Sequence, residues 1–178
     1  LSFKGSLLQS NLEIEELNVE EVANTSLNIK GNVSGFGEKA KFENLQYIID
    51  AKDVVNMIEK FELSKPEFDY NRFYNFSATG TLNGDLDNFN IDTEFNSGVL
   101  TGRYEGSVNM ADNILFNGSI ELKHPELITF IESVGGNYKV QSPNLGLFRF
   151  KSKINGTMHD MDLQDMELNI GYSQFGGN

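Results

Sequence analysis

Apolar and polar residues alternate along most of this chain. A period of two places the apolar side chains of a β-strand on one face, so the alternation predicts strands that are buried on one side. Runs of this kind contain Leu27, Ile29 and Val33; Tyr74, Phe76, Ala78 and Leu82; Leu100, Tyr104, Val108 and Met110; Phe116, Ile120 and Leu122; Phe148, Phe150 and Ile154; and Leu168, Ile170 and Tyr172. The chain is therefore predicted to be mainly β.

Two short segments carry a helical pattern instead. In "DVVNMIEKF" and "PELITFIESV" the apolar residues follow the offsets i, i+1, i+3, i+4 and i+7, which place them on one side of a helix. They are Val54, Val55, Met57, Ile58 and Phe61 in the first segment, and Leu127, Ile128, Phe130, Ile131 and Val134 in the second. Asp53 suits the N-cap of the first helix. Pro125 and Gly135-Gly136 suit the start and the end of the second.

The chain repeats itself after about 72 residues. The two helical segments lie 73 residues apart, and the phrases "LNV" at Leu17, "FNI" at Phe89 and "MDL" at Met161 follow one another at steps of 72. Such an array stacks each copy against its neighbours. Residues 1–178 are thus predicted to form one β-repeat region with about two and a half copies of a unit of mainly strands and one helix, at approximately residues 5–76, 77–148 and 149–178.

Glycine recurs at alternate strand positions in this repeat. Gly31–Gly35 returns as Gly102–Gly106 after 71 residues, and Gly80–Gly84 returns as Ser152–Gly156 after 72. Because residues i, i+2 and i+4 share a face, we expect six glycines on the apolar face, namely Gly31, Gly35, Gly80, Gly84, Gly102 and Gly106. Each costs about 0.5 to 1 kcal/mol relative to alanine. Two accounts stay open: the glycines mark bends and close backbone approach around a core, or they leave an apolar groove that accepts an acyl chain.

Composition narrows the functional classes. The chain of 178 residues has 26 acidic and 14 basic residues, a balance of −12, which makes a nucleic-acid backbone an unfavourable partner. It contains no cysteine, so disulfides and thiolate metal sites are excluded. No apolar stretch of about 20 residues offers a membrane span. Because the chain starts at Leu1 without a signal segment and ends in "FGGN", we interpret it as a fragment of a longer protein whose anchor lies elsewhere.

The sequence contains no recognisable catalytic or metal-binding motif. The segment from Asp85 to Asp92 is a poor calcium loop because Phe89 occupies a position that needs an oxygen ligand. The two histidines, His124 and His159, are far apart in the chain, and His124 suits the capping of the second helix. We therefore expect no catalytic residues, no metal and no cofactor, and hence a protein that is not an enzyme.

The ordered repetition resembles the AsmA-like family of Gram-negative envelope proteins, which includes the TamB-type translocation proteins. Its recurring glycine-spaced strand is similar to "LNIKGNVSG" and "VLTGRYEGSVNM". Its strand leading into a short apolar helix resembles "IIDAKDVVNMIEKF" and "IELKHPELITFIESVGG", and its following strand pair resembles "FSATGTLNGDLDNFNIDTEF". The membrane anchor and the C-terminal signature of the TamB group are not visible in the sequence.

The resemblance implies a repetitive curved antiparallel sheet that forms an apolar trough, a β-taco or solenoid-like fold with two short helices. It also implies a periplasmic domain, tethered to the inner membrane through an anchor outside this segment, that contacts or conveys phospholipid or other acyl chains. Such a domain supports outer-membrane biogenesis and has envelope assembly proteins as further partners. The predicted groove lining is Phe76, Leu82, Leu100, Tyr104, Val108, Phe116, Ile120, Phe148, Phe150 and Ile154. The alternative is a scaffold or adhesin repeat in which the same face is a dry core.

Overall fold

The structure is a computed structural model, and it describes residues 1–35, 37–60, 75–110, 114–133, 145–157 and 160–177. The strands are β1 (Ser2–Leu8), β2 (Asn11–Val22), β3 (Thr25–Ser34), β4 (Lys41–Ala51), β5 (Phe76–Asp85), β6 (Asn88–Ser97), β7 (Leu100–Asn109), β8 (Leu115–His124), β9 (Phe148–Thr157), β10 (Met161–Ile170) and β11 (Ser173–Gly177). The helices are α1 (Val54–Lys60) and α2 (Leu127–Ser133), with one 3-10 turn at Gly37–Lys39.

All the strands belong to one antiparallel sheet in which each strand pairs with its neighbours in the chain. The spatial order runs from β1 to β11 without a crossover, and the sheet is curved and does not close. The predicted fold of a mainly β, curved antiparallel sheet with two short helices is confirmed. Several residues used in the predictions lie outside the described residues, namely Phe61, Tyr74, Val134, Gly135, Gly136 and His159.

Both helices follow strands that end at the same long edge of the sheet. α1 begins after β4, where the Asp53 carboxylate accepts the Asn56 N–H at 2.9 Å, so Asp53 is the N-cap that the sequence predicted. α2 begins after β8, where the Glu126 carboxylate accepts the Thr129 N–H at 2.8 Å. The Glu126 N–H in turn lies 3.1 Å from His124 Nδ1, so the histidine contacts the start of the helix while Glu126 caps it.

The pairing register sorts the strand residues onto two faces. Residues directly opposite in neighbouring strands point to the same side, so one face can be followed across the sheet. The apolar face consists of Phe3, Gly5 and Leu7; Leu12, Ile14, Leu17, Val19 and Val22; Thr25, Leu27, Ile29, Gly31 and Val33; Phe42, Leu45, Tyr47, Ile49 and Ala51; Phe76, Ala78, Gly80, Leu82 and Gly84; Phe89, Ile91, Thr93, Phe95 and Ser97; Leu100, Gly102, Tyr104, Gly106 and Val108; Phe116, Gly118, Ile120, Leu122 and His124; Phe148, Phe150, Ser152, Ile154 and Gly156; Met161, Leu163, Met166, Leu168 and Ile170; and Ser173, Phe175 and Gly177. The opposite side is the polar face.

The tightest packing lies on the apolar face of β6 to β10. Tyr104, Val108 and Ile154 are buried there, with 8%, 6% and 4% of their surface exposed. The partly buried residues around them are Phe89, Ile91, Phe116, Ile120 and Met161. Side chains from five neighbouring strands thus meet in one cluster, which places the densest part of the core between β6 and β10 and leaves both edge strands, β1 and β11, outside it.

The architecture recurs after four strands. Gly84 in β5 and Gly156 in β9 lie 72 residues apart and share an unusual backbone, with φ of 136° and 139°. In both places a Cβ would collide with the backbone oxygen of the next strand, that of Asn88 or of Asp160. The step of 72 from Phe89 to Met161 also joins equivalent positions, since the two residues follow one another in the same row of the sheet.

Bulges explain why the repeat length varies. Asp165 in β10 has φ of 51° within a register shift between Gln164 and Glu167, so equivalent positions in β6 and β10 are 72 residues apart before it and 73 after it. β2 contains two register shifts relative to β3, and Leu17 lies opposite Ile29. When the rows of paired residues are followed across the sheet, Leu17 and Phe89 lie in different rows, which are two apolar-face positions apart. The predicted 72-residue step from Leu17 to Phe89 therefore joins the correct strands out of register.

Candidate functional site

The apolar face is the most distinctive surface of the molecule. The positions that define it contain no Asp, Glu, Lys or Arg, whereas the charged residues of β3 to β9 all lie on the polar face. A one-residue slip in register would reverse this separation, so the sequence specifies the register strongly. The result is a continuous uncharged surface that extends from β1 to β11.

All ten residues predicted to line the groove lie on this face. They belong to β5, β7, β8 and β9, and the register brings them into adjacent columns: Phe76, Leu82, Leu100, Tyr104, Val108, Phe116, Ile120, Phe148, Phe150 and Ile154. Tyr104, Val108, Phe148 and Ile154 are buried, and the others are half-buried.

The sequence prediction left out the contributions of β2 to β4, β6 and β10 to the same face. In β6 the alternation of Phe89, Ile91 and Phe95 was present in "FNIDTEF" but is interrupted by the polar Thr93. In β10 the bulge at Asp165 breaks the period of two. A search that allowed one polar residue or one bulge per strand would have found both.

The predicted glycines are positions of close approach. A Cβ added at Gly31, Gly80, Gly84 or Gly106 would collide with backbone of the neighbouring strand, so these positions have no free space beside them. This favours the account of bends and close backbone approach over that of an acyl groove made by missing side chains. Gly35 differs, because β3 ends at Ser34 and Gly35 lies in the following turn with φ of 75°. The expectation that Gly35 lies on the strand face is wrong.

Aromatic side chains cover three of the six predicted glycines, namely Gly80, Gly102 and Gly106. The Tyr47 hydroxyl lies 2.8 Å from the Cβ position of Gly80 and hydrogen bonds to Thr93, so this side chain crosses from β4 over β5 to β6. The Phe95 ring occupies the space above Gly102, directly opposite it in the register. The surface that glycine vacates is thus filled by a ring from a neighbouring strand.

The Tyr104 side chain covers Gly106 from within the same strand, β7. Its hydroxyl lies 2.8 Å from the Cβ position of Gly106 and donates to the Ser107 carbonyl oxygen at 2.8 Å. Burial raises the pKa of Tyr104, and burial likewise raises that of Tyr47, because both phenolates would lose hydration on this face. The face therefore favours the uncharged form of Tyr47 and Tyr104.

A few small polar groups interrupt the apolar face. The Ser152 hydroxyl is buried and donates to the Gln164 carbonyl oxygen at 3.0 Å, where the bulge of β10 exposes that oxygen. Among the described residues, the Ser97 hydroxyl has no hydrogen-bond partner; it is buried at the end of β6, on the side of the sheet where the helices lie, here called the helix edge. His124 is buried at the same edge in β8. The helix edge of the apolar face therefore carries two buried polar side chains, Ser97 and His124.

Helix α2 packs on the apolar face at the helix edge. The Phe130 ring stacks on Phe148 with ring centroids 4.7 Å apart and 17° between the planes, and it also contacts His124 at 5.9 Å. The Glu126 carboxylate holds the helix start and also accepts the Leu145 N–H at 3.1 Å. The hydrogen bond from the Thr129 N–H, followed by those from Leu145 and Ile128, lowers the pKa of Glu126.

Acidic and basic side chains form ion pairs on the polar face. Arg103 donates to both oxygens of Asp92, at 3.0 and 2.9 Å, and also reaches Glu105 at 3.2 Å. A shallow depression of about 380 Å³ lies beside this group, with Asn28 and Thr79 among its lining residues. Asp92 and Arg103, which line this depression together with Lys30 and Glu94, pair with each other across β6 and β7.

Within the residues that the structure describes, no group of histidine, aspartate and glutamate side chains could hold a metal ion. Over the same part of the chain, no helix is both long enough and apolar enough to cross a membrane. Comparison with protein-family models, with curated proteins and with solved structures finds no match to this chain.

Proposed function

We propose that the apolar face binds the acyl chains of phospholipids or of other lipids, and that the protein is a non-enzymatic lipid-contacting domain. The observation that carries the proposal is the uncharged surface that continues across eleven strands while the charges gather on the polar face. An acyl chain needs such a surface, because each buried CH₂ group contributes about 0.8 kcal/mol and asks for no hydrogen bond.

The bound lipid would keep its headgroup away from this face. Burying an unpaired phosphate is costly, and the apolar face offers no Lys or Arg to pair with one. The acyl chain would therefore lie against residues such as Leu82 and Phe150, and the headgroup would remain in water. This arrangement suits recognition of chains in general and gives little selection among headgroups.

The biological setting is part of the proposal and rests on the resemblance to AsmA-like proteins. In that setting the domain is periplasmic, is tethered to the inner membrane by an anchor elsewhere in the protein, and supports outer-membrane biogenesis by contacting or conveying lipid. Envelope assembly proteins would be its protein partners. The balance of −12 argues against binding to nucleic acid.

The test combines native mass spectrometry of the gently purified protein with displacement of bound lipid by a fluorescent acyl probe. Leu82→Asn places an amide on the apolar face, and Thr81→Asn places the same group on the polar face of the same strand. We expect stoichiometric lipid in the wild type and a probe affinity that falls about tenfold in Leu82→Asn. Thr81→Asn should bind the probe as the wild type does. A lipid-free wild-type protein that does not bind the probe would overturn the proposal.

A second function, that of a scaffold or adhesin repeat with a dry core, is favoured by one observation. The cluster around Tyr104, Val108 and Ile154 is already buried, and rings of the protein itself cover Gly80, Gly102 and Gly106. In a scaffold these contacts exist for stability alone. Loss of stability in Leu82→Asn, together with a wild type that binds no acyl probe, would support this reading.

A further inference from the structure

Among the described residues, no strand pairs with the outer edge of β11, and this edge lacks the features that protect such edges. β11 pairs with β10 on one side only, and its residues from Ser173 to Gly176 are exposed. Its sequence "SQFGG" contains no charge and no proline, and its pairing with β10 shows no register shift. Edge strands normally use charges, prolines or bulges to prevent strand addition. Phe175 remains 54% exposed at this edge.

The four-strand repeat identifies what kind of strand belongs beside β11. β10 and β11 occupy the places that β6 and β7 have in the preceding copy, with Phe175 in the position of Gly102, 73 residues earlier. In that copy the next strand is β8, which pairs antiparallel with β7 and continues the apolar face with Ile120 and Leu122.

We propose that the outer edge of β11 binds an antiparallel β-strand of the β8 type, with apolar side chains at alternate positions on the same side as Phe175. Transferring the β7–β8 register places the incoming equivalents of Leu122 and Ile120 opposite Phe175 and Gly177. The equivalent of Lys123 lies opposite the uncharged Gln174. The pairing opposes no like charges and covers Phe175, and its main-chain hydrogen bonds supply the affinity.

The hairpin geometry shows which backbone groups of β11 are available. Ile170 and Ser173 flank a two-residue turn and form the closing pair, which is hydrogen bonded in such hairpins. The N–H groups of alternate residues, starting from Ser173, therefore point to β10. Those of Gln174 and Gly176 point outward. A proline at position 176 thus removes an outward donor and leaves the ladder to β10 intact.

The experiment uses the whole chain and a fluorescent synthetic peptide of residues 115–124, "LFNGSIELKH", as the probe. Binding is followed by fluorescence anisotropy for the wild type, Gly176→Pro and Gly176→Ala. A Cβ at Gly176 has its nearest neighbour at 3.7 Å, an ordinary contact, so the alanine variant keeps both the fold and the outward N–H. We expect saturable binding to the wild type and to Gly176→Ala, and binding about tenfold weaker to Gly176→Pro.

Three outcomes would overturn the proposal. They are no binding of the peptide to the wild type, equal binding to the wild type and to Gly176→Pro, and binding of a scrambled peptide as tight as that of the β8 sequence. If the chain instead forms a dimer in light scattering that Gly176→Pro returns to a monomer, then the occupant is a second copy and the proposal also fails. Circular dichroism of Gly176→Pro with an unchanged strand signal shows that a loss of binding comes from the edge itself.

Discussion

At the scale of single residues, glycine and an aromatic ring form a unit on the apolar face. Tyr47 lies over Gly80, Phe95 over Gly102 and Tyr104 over Gly106, so each ring uses the space of a missing side chain. Glycine weakens a strand on its own. Burial of a large ring against the neighbouring backbone offsets this loss, which explains why glycine recurs where a sheet core would otherwise use valine or isoleucine.

The first prediction concerns Gly106. In Gly106→Ala the new Cβ would lie 2.5 Å from the Gly118 Cα and 2.8 Å from the Tyr104 hydroxyl, so both strands must move apart. We expect a loss of about 1 to 3 kcal/mol in the free energy of unfolding, measured by urea denaturation. Gly176→Ala is the matched control and should stay within about 0.5 kcal/mol of the wild type. Equal stability of the two variants would contradict close approach at Gly106.

The second prediction concerns alkaline pH. The raised pKa values of Tyr47 and Tyr104 mean that the unfolded chain, in which tyrosine titrates near 10, releases these protons first. The free energy of unfolding should therefore fall as the pH rises above about 10. The double variant Tyr47→Phe, Tyr104→Phe should lose most of this dependence when urea midpoints are compared across that range. If the pH dependence were unchanged, other groups would be its cause.

At the scale of elements, the strands were predictable and their exact alignment was not. The period of two located most of the strands, and the helical offsets located α1 and α2 to within one residue of their ends where the structure describes them. Bulges caused the failures of alignment, because an extra residue such as Glu15 in β2 breaks the period of two and shifts every later position by one. The groove prediction found β5, β7, β8 and β9, and it omitted β6, where the polar Thr93 interrupts the pattern, and β10, where a bulge does.

The third prediction concerns the start of α2. Hydrogen bonds from Thr129 and then Leu145 lower the pKa of Glu126, so the ionised carboxylate stabilises the fold above the unfolded-chain pKa. This contribution is lost as the pH falls through the lowered value. Glu126→Gln should reduce the thermal midpoint at pH 7 and narrow its difference from the wild type in acid, as measured by calorimetry. Glu43→Gln, at an exposed position on the polar face of β4, is the control and should change the midpoint less.

At the scale of the whole molecule, stability should decrease from the centre of the sheet toward its edges. The buried cluster lies on β6 to β10, whereas all of β1 is exposed and β11 is nearly so. In a repeat array each unit is held mainly by its neighbours, so the outermost strands have half the contacts.

The fourth prediction follows from this gradient. Hydrogen exchange measured by mass spectrometry should be slowest in peptides from β7, β8 and β9 and fastest in those from β1 and β11. Ile154→Ala, in the central cluster, should accelerate exchange across several strands, and Leu7→Ala at the exposed edge should accelerate it in β1 and β2 alone. Uniform exchange from β1 to β11 would indicate a single cooperative unit without a gradient.

The strand order has a consequence for how the chain is made. Since each described strand bonds to the strands next to it in sequence, these pairings need not wait for a distant strand to be synthesised. Each hairpin that leaves the ribosome meets an edge that is already formed, and short closing distances favour rapid pairing. The newest hairpin then forms the growing edge of the sheet, and this edge moves along the nascent chain with synthesis.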